Sequence, residues 1–452
     1  MNGAKKQKMS GWGRYPVQES YVVRPENYDQ LRESASSLSL KSYLAYGMGR
    51  SYGDSPLNKD GGLIITTKLN HFISFDEQTL TLECEAGVSF EEILDVFLPK
   101  GYFLPVTPGT KFITVGGAIA NDVHGKNHHI DGAFSQHLLD FTLLLASGEV
   151  LRCSRDENVE LFWATIGGIG LTGIILTAKF YLIPIETAYY DVHYQQARNL
   201  DEALRLFNES DDQYRYSVAW IDCLAKGSSL GRSVLMRGNH ANLATVKKRD
   251  PLQILHKTKL SIPIDFPSFI LNKLTIKSFN SLYYNIHPKD SHKIVGYDSF
   301  FYPLDSIHQW NRMYGKKGFV QYQAVFPPET SHQGLTEMLE CLSSSNRASF
   351  LAVLKSSGAE SGGLLSFPKK GYTLALDIPI NNDAIFSFLY SLDEIVIRHG
   401  GRVYLAKDST LAPEHFAAMY PSLERFKQIK NRVDPDHVFS SSMARRLRIV
   451  EG

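Results

Sequence analysis

Side chains able to bind or act on another molecule are densest over residues 108–129, which read PGTKFITVGGAIANDVHGKNHH. Gly116 and Gly117 with their alanine neighbours leave little side chain in the way, so backbone can approach a bound molecule closely. Hydrogen-bonding side chains follow at once, namely Asn121, Asp122, His124, Lys126, Asn127, His128 and His129. Packing alone would need the glycines but not these polar groups, so the stretch predicts a cofactor site. A tight, solvated surface turn is the alternative.

The loop at 47–54, GMGRSYGD, has the composition of a phosphate cradle. Its glycines let successive backbone N–H groups converge on an anion, and Arg50 adds positive charge. A predicted strand over 41–46 precedes it, but residues 55–62 read as loop, whereas a βαβ nucleotide-binding unit would begin a helix there. The cradle is therefore predicted to belong to another fold.

Residues 168–173 match the pattern GxGxxG through Gly168, Gly170 and Gly173. The following segment, 174–184, is apolar, rich in β-branched residues and ended by proline. It predicts a strand rather than a phosphate-binding helix, which disfavours a nicotinamide site of the Rossmann type.

His124, His128 and His129 raise the alternative of a metal site. A four-residue spacing brings two imidazoles together on a helix, but Gly125 disfavours a helix here. No metal is predicted.

The elements that position these residues form two groups. The first 185 residues predict short strands and a helix over 89–98, with Ser89 as its N-cap, followed by a hairpin of 138–145 with 150–154. Near Thr187 the amino-acid pattern changes to tyrosine-rich strands followed by an acidic helix. This change predicts that a second domain begins there.

Two strands of this second part present polar side chains. The alternating run 319–326 places Gln321 and Gln323 on one face, where two amides suit sugar hydroxyls. A polar outer sheet face is the alternative. A strand over 349–356 presents Lys355.

The C-terminal part predicts a helix over 383–399 that ends at Gly400, a strand over 402–409 and a helix over 413–433.

Composition limits the function. The chain has 452 residues, is 43% hydrophobic and carries a formal charge of +1, which argues against a nucleic-acid-binding surface and allows two or three domains. Four dispersed cysteines form no CxxC pair, so a reducing compartment is expected, and the N-terminus lacks a signal-peptide core, which predicts a cytoplasmic protein. The uncharged run 161–178 contains four glycines and predicts a buried turn and strand.

Residues 245–290 mix basic with apolar and aromatic side chains, including Lys247, Lys248, Arg249, Lys257, Lys259, Lys273, Lys277, Ile262, Ile264, Phe266 and Phe269. Such a segment can contact a membrane surface or a lipid-linked ligand. A solvated loop packed by its own aromatic residues is the alternative.

Five of these segments together resemble a known family: the loop at 47–53, GGAIANDVHGKNHH at 116–129, VQYQ at 320–323, YLAKDS at 404–409 and MARRL at 443–447. The chain resembles the flavin subunit of decaprenylphosphoryl-β-D-ribose 2-epimerase, within the vanillyl-alcohol-oxidase-like FAD proteins. The resemblance runs over nearly the whole sequence.

The resemblance implies an α+β fold of two domains. Residues 1–185 and 402–452 would form the FAD-binding domain, and residues 186–401 an inserted substrate domain built on an antiparallel sheet. It also implies oxidation of the 2-hydroxyl of a polyprenyl-phosphate-linked ribofuranose to a ketone, with hydride transfer to FAD. A separate NAD(P)H-dependent keto-sugar reductase would complete epimerisation to arabinose. A soluble aldonolactone or alditol oxidase is the alternative enzyme, and a nucleotide-binding module without turnover is the alternative outside enzymes.

Carried over by motif, the residues implied to bind FAD are Gly47, Met48, Gly49, Arg50, Ser51, Tyr52, Gly53, Pro108, Gly109, Gly116, Gly117, Ala120, Asn121, His124, Gly125, Gly168, Gly170, Gly173 and Tyr404. Related oxidases often attach FAD through a histidine in the loop that here contains Tyr52, so the cofactor is expected to be noncovalent. The residues implied to contact substrate are His124, Tyr302, Gln321, Gln323, Lys355 and Lys407.

Lys407 falls on the family's active-site lysine and is the predicted catalytic residue. Removing hydride from an alcohol carbon also requires loss of the hydroxyl proton, so a base or a cation that stabilises the alkoxide must stand nearby. Lys407 fits either role. A surface lysine paired with Asp408 is the alternative.

Overall fold

The computed structural model describes residues 4–37, 40–254, 260–267, 270–345, 347, 349 and 351–450. The strands are β1 Lys5–Ser10, β2 Val17–Val23, β3 Tyr43–Tyr46, β4 Gly62–Ile65, β5 Phe72–Asp76, β6 Thr81–Glu85, β7 Tyr102–Phe103, β8 Leu138–Leu144, β9 Val150–Ser154, β10 Ile174–Tyr181, β11 Ile183–Pro184, β12 Tyr189–Ala197, β13 Tyr216–Ile221, β14 Ser233–His240, β15 Leu260–Ser261, β16 Asp290–Gly296, β17 Ile307–His308, β18 Phe319–Phe326, β19 Ala352–Ser357, β20 Gly371–Pro379 and β21 Arg402–Val403. The helices are α1 Tyr28–Ser37, α2 Phe90–Phe97, α3 Val115–Ala120, α4 His128–Asp131, α5 Val159–Thr165, α6 Leu200–Ser210, α7 Lys273–Ile286, α8 Tyr297–Phe301, α9 Ser331–Ser344, α10 Ala384–Arg398, α11 Pro413–Met419, α12 Leu423–Val433 and α13 Ser442–Arg446.

Among the described residues, the N-terminal part contains two large sheets and a two-stranded pair of β7 with β11. Strands β1-β2-β4-β3 form one, and β5-β6-β10-β8-β9 form the other, in which every pair is antiparallel. The predicted hairpin is present as β8 and β9. The predicted helix is α2, where Ser89 and Glu92 cap each other reciprocally and satisfy backbone N–H groups that the helix leaves unpaired.

The middle of the chain forms an eight-stranded sheet in the order β16-β12-β14-β13-β19-β20-β18-β21. All its pairs are antiparallel. Helices α6, α9 and α10 pack against this sheet, and Tyr322 of β18 donates a hydrogen bond to Asp393 of α10. Because side chains alternate along a strand, Gln321 and Gln323 project to the opposite face, away from these three helices.

The end of the chain returns to the first sheets. The backbone N–H of Tyr43 donates to Val438 O, and that of Ser440 donates to Tyr43 O. Buried Phe439 joins a hydrophobic cluster with Val23 and Ile64. The eight-stranded sheet takes its strands from residues 189–403, while the predicted domain boundaries at 185/186 and 401/402 stay a prediction.

Three sequence predictions need correction. The strand expected over 402–409 ends at Val403, because the backbone N–H groups of Lys407 and Asp408 turn back to Tyr404 O. The helix expected over 413–433 is split into α11 and α12, because Pro421 has no N–H to continue it. The run 161–178 begins with the last residues of helix α5, which were not predicted, and the expected buried turn and strand β10 follow.

Among the described residues, no helix is both long enough and apolar enough to cross a membrane.

Candidate functional site

A cleft of about 590 Å³ lies between the two glycine-rich stretches and the free face of the eight-stranded sheet. Its volume is in the usual range for ligand sites. The predicted residues that line it are Gly47, Met48, Gly49, Arg50, Ser51, Tyr52, Pro108, Gly109, Gly116, Gly117, Ala120, Asn121, His124, Gly125, Gly170, Gly173, Gln321, Gln323, Lys355, Tyr404 and Lys407. Most of the site residues predicted from the sequence therefore lie on one continuous cavity.

Three predicted residues do not line the cleft. Tyr302 is fully buried, and its hydroxyl lies 2.6 Å from Thr107 Oγ1, so it supports the wall from behind. A Cβ on Gly168 would lie 2.1 Å from Ala164 O, so this glycine permits the turn after α5. Gly53 lies behind the cleft, packed against the backbone carbonyl oxygen of Asp408.

The loop at 47–53 is attached directly to the turn that carries Lys407. The Tyr52 N–H donates to Ala406 O at 2.9 Å. A Cβ on Gly53 would lie 1.7 Å from Asp408 O, which no side chain allows. Gly49 has a φ of +64°, a conformation that favours glycine. The Tyr52 hydrogen bond and the close approach permitted at Gly53 thus hold the predicted cradle against the turn that carries Lys407.

The second glycine pair begins helix α3. Thr114 caps this helix by accepting a hydrogen bond from the Gly117 N–H at 3.1 Å. The Gly116 N–H donates to Ala86 O, and a Cβ there would lie 3.1 Å from Ala86 Cβ. Small residues are therefore required by packing behind the helix as well as by the cleft in front of it.

His124 lies at the meeting point of the loop and the sheet. Its Nε2 is 3.1 Å from Gln323 Nε2, and its ring packs against Tyr404 and Phe367 at centroid distances of 5.2 and 5.4 Å. Tyr404 in turn donates to Asn121 O at 2.9 Å. Burial lowers the pKa of His124 well below its usual value, so the imidazole is neutral at physiological pH.

The three neighbouring histidines point to separate partners. His128 Nδ1 accepts from the Gly358 N–H at 3.0 Å, and His129 Nε2 lies 2.9 Å from Tyr214 O. Their directions explain the polar stretch without a shared metal ion. The prediction of no metal in the cleft stays a prediction.

Another group of potential metal ligands lies on the sheet edge. His193, Asp290 and His292 bring ligand atoms within 4.8 Å of one another. His193 Nε2 is already 2.8 Å from Asp290 Oδ1, and the two imidazoles stack at 4.3 Å. A hydrogen bond beside a stacked ring accounts for this arrangement.

Lys407 is not paired with Asp408, the alternative considered from the sequence. Asp408 Oδ2 instead accepts from Arg446 at 2.8 Å, and Arg446 also binds both carboxylate oxygens of buried Asp54. Lys407 Nζ stands 3.9 Å above the centre of the Tyr52 ring. Burial lowers the pKa of Lys407 to about 7, against the opposing effect of Asp377.

Two more lysines enter the same cleft. Burial lowers the pKa of Lys355 to about 8, and burial together with Lys355 lowers the pKa of Lys126 to about 7. Lys126 Nζ donates to Phe300 O and lies 4.2 Å from the centre of the Phe300 ring. A concentration of amines in one half-buried cleft favours an anionic ligand.

Some site residues were missed because they come together only in the fold. Trp12 stacks against Arg50, with the guanidinium carbon 4.0 Å from the ring centre. Asp377 accepts from Gln321 at 2.5 Å and from Tyr314 at 3.1 Å. The alternating pattern of β20 contains Asp377 but does not indicate which neighbouring strand it faces.

The cleft fits FAD. His124 Nδ1 and Ser55 Oγ are buried and have no hydrogen-bond partner among the described residues, and both residues line the cleft. Such groups need a polar ligand or water to offset their desolvation. The glycine-lined walls at 47–49 and 116–117 expose backbone where a long, polar cofactor can approach.

Comparisons with known proteins agree with this geometry. A family described as FAD binding domain matches residues 20–154, and one described as D-arabinono-1,4-lactone oxidase matches residues 378–447. The chain is 38% identical over 451 residues to decaprenylphosphoryl-β-D-ribose oxidase of Mycolicibacterium smegmatis, covering 98% of each chain. It is 23% identical over 465 residues to L-gulonolactone oxidase of Bos taurus, covering 97% of this chain and 98% of that protein. To D-arabinono-1,4-lactone oxidase of Yarrowia lipolytica it is 30% identical over 157 residues, covering 34% of this chain and 30% of that protein.

The fold, the cleft and the similarity to these known proteins together identify an FAD-dependent oxidoreductase that acts on a CH–OH group. The chain belongs to the decaprenylphosphoryl-β-D-ribose oxidase family. The resemblance drawn from five motifs, the two-domain α+β fold and the FAD cofactor are thereby confirmed.

Proposed function

We propose that this protein oxidises the 2-hydroxyl of a polyprenyl-phosphate-linked ribofuranose to the 2-keto sugar. The observation that carries the proposal is the composition of the cleft beside the glycine loops. Lys126, Lys355 and Lys407 supply amines, and Gln321 and Gln323 supply amides on the same sheet face. Amines suit a phosphate, and amides suit sugar hydroxyls.

FAD, when bound, would supply a hydride acceptor. The residues of this chain accept the hydroxyl proton and orient the sugar. Lys407 accepts the proton of the 2-hydroxyl, because its pKa of about 7 leaves a substantial neutral fraction at physiological pH. Neutral His124, held by Gln323, lies within the same wall and orients the sugar through hydrogen bonds. Its low pKa makes it a poor base at neutral pH.

Lys355 and Lys126 are assigned to the phosphate. Their pKa values of about 8 and about 7 are lowered by burial, and an anionic ligand raises them again by favouring the charged form. Substrate binding is therefore accompanied by proton uptake in the cleft. This arrangement favours a phosphorylated sugar over a neutral one.

FAD is proposed to be bound without a covalent link. Tyr52 occupies the loop position at which related oxidases carry a histidine, and its phenol lies beneath Lys407. The remaining cofactor contacts are assigned to the cleft-lining residues of the loops at 47–52 and 108–125 and of the turn at 168–173. Gly53, Gly168 and Tyr302 are assigned to supporting contacts behind the wall.

The product is proposed to pass to a separate NAD(P)H-dependent reductase. A 2-keto sugar has lost two electrons and the configuration at C2, so a reductase that delivers hydride to the other face completes the epimerisation. The division into an FAD-binding domain, 1–185 with 402–452, and a substrate domain, 186–401, belongs to the same proposal.

A peripheral contact with the cytoplasmic face of a membrane is proposed for the segment 245–290. Helix α7 exposes Leu274, Leu282 and Ile286, whose exposed fractions are 74%, 65% and 71%. Isolated exposed apolar residues are ordinary, but several on one helix mark an interaction surface. Of the residues behind the sequence prediction, Lys257, Lys259, Phe269 and the side chain of Lys273 lie outside the described part of the chain.

An aldonolactone or alditol oxidase is the second candidate, favoured by the lactone-oxidase match over residues 378–447. The two candidates differ in substrate charge. Purified protein reconstituted with FAD is therefore assayed by dye reduction with farnesylphosphoryl-β-D-ribofuranose, D-arabinono-1,4-lactone and free alditols. The proposal expects turnover of the first compound alone, and turnover of the free sugars alone would favour the second candidate.

A further inference from the structure

We propose that the cleft has an apolar branch that holds the prenyl chain of the substrate, running along the free face of the eight-stranded sheet from Ala375 to helix α7. The inference rests on the proposed function and names where its lipid is bound. The lining residues of the branch are Val218, Trp220, Met236, Tyr194, Tyr283 and His287.

The register of the sheet creates a polarity gradient within the cleft. Gln323 pairs with Ala375, Ala375 with Val353, and Val353 with Trp220. Directly paired residues project to the same face of a sheet, and all four line the cleft. One row of side chains thus passes from an amide near the proposed sugar site to purely apolar and aromatic groups.

The apolar surface continues on the next strands. Val218 pairs with Met236, and Met236 pairs with Tyr194 of β12. From β18 to β12 the sheet order contains five strand spacings of about 4.8 Å, or about 24 Å in total. A ribose phosphate is too short to span this distance, whereas an extended prenyl chain follows it.

Helix α7 and the residue after it line the far end of the branch with aromatic rings. Tyr283 packs against Trp220 at a centroid distance of 4.6 Å, and His287 packs against Tyr283 at 4.6 Å. Tyr283 lies in the last turn of α7, and His287 is the residue directly after the helix. Their packed rings form a wall of the branch, because both residues line the cleft.

The helix is fixed to the sheet at this end and exposed beyond it. Gln196 of β12 donates to both Tyr284 O and His287 O at 2.7 Å. Leu282 and Ile286 lie on the outer side, 65% and 71% exposed. The branch therefore opens beside an apolar helix surface, where a long chain can leave the protein without its apolar groups entering water.

The branch predicts selection for chain length. FAD-loaded protein is assayed with isopentyl- and farnesyl-phosphoryl-β-D-ribofuranose, which differ only in the apolar chain. Wild type is expected to favour the farnesyl compound at least tenfold in kcat/KM, mainly through KM, because the chain is bound equally before and during the reaction.

Met236 tests the location of the chain. Met236→Gln keeps the approximate size but places an amide in the branch, and it is expected to lower the farnesyl-to-isopentyl ratio of kcat/KM about tenfold. Met236→Leu keeps the apolar surface and is expected to retain the ratio. An unchanged ratio in Met236→Gln would overturn the proposal.

Binding separates this inference from the proposed function. If wild type oxidises neither compound, the proposed function fails, and the branch is then tested by calorimetry with farnesyl phosphate and isopentyl phosphate. Tighter farnesyl phosphate binding that Met236→Gln weakens supports the branch. Equal affinity for the two phosphates contradicts it.

Discussion

Replacing Lys407 separates its two possible roles. Lys407→Met removes both the base and the cation, whereas Lys407→Arg retains a cation that cannot be deprotonated in a protein. If Lys407 accepts the hydroxyl proton, both variants lose activity. If it only stabilises the alkoxide, Lys407→Arg retains a large part of it.

The expected loss can be worked out from the site. General-base catalysis contributes about 10²- to 10⁴-fold, which corresponds to about 3 to 5 kcal/mol of activation free energy. The pKa of Lys407 is about 7, so the rate of flavin reduction at saturating substrate should rise with pH and level off above that value. At pH 6 about one tenth of the plateau is expected, because only that fraction of the amine is neutral.

The assay is flavin reduction by the lipid-linked ribose from pH 5.5 to 9, with flavin content measured for every variant. Asp377→Asn provides a control, because Asp377 raises the pKa of Lys407 and its removal should move the inflection to lower pH. A rate of flavin reduction at saturating substrate that falls above pH 7, or a Lys407→Arg variant close to wild type, would refute the base assignment.

Three further outcomes are expected. Acid precipitation should release the yellow cofactor into the supernatant, because Tyr52 cannot form the histidyl link; a yellow pellet would contradict this. Arg446→Gln leaves two buried carboxylates unpaired and should lower the free energy of unfolding by about 3 kcal/mol in urea titrations, whereas Arg448→Gln on the exposed side should change it little. Wild type should float with anionic vesicles at low salt, and the double change Leu282→Glu and Ile286→Glu should abolish flotation. Wild-type protein that stays at the bottom of the gradient while the vesicles float would count against the membrane contact.

The sequence predicted the parts of the site that are local. Residues 116–129 place small residues and polar groups in one continuous run, so their shared role is visible without the fold. The prediction that the motif at 168–173 precedes a strand and not a Rossmann-type helix is confirmed, because the segment after it forms strand β10. Gln321 and Gln323 follow from strand alternation alone.

The remaining features depend on tertiary contacts. Asp408 is the neighbour of Lys407 in sequence, but its carboxylate accepts a hydrogen bond from Arg446 of α13. The amine of Lys407 therefore lies beside Tyr52. The short turn after Val403 replaces an expected strand because it closes on Tyr404 O. No periodicity in the sequence encodes either event.

Tyr302 illustrates a limit of carrying residues over by resemblance. Its neighbours Phe300 and Phe301 line the cleft, while its own hydroxyl binds Thr107 in the core. A shift of one position within an irregular segment decides which ring faces the ligand. Sequence similarity identifies the segment but does not determine that orientation.

The most direct test of the central claim is the isotope dependence of flavin reduction. FAD-loaded protein is mixed anaerobically with farnesylphosphoryl-β-D-ribofuranose carrying either hydrogen or deuterium at C2. The account predicts that flavin absorbance is lost, that the deuterated substrate reacts more slowly and that the product is the 2-keto sugar. Absence of bleaching with this compound, or bleaching that does not depend on the isotope at C2 and yields no 2-keto product, would contradict it.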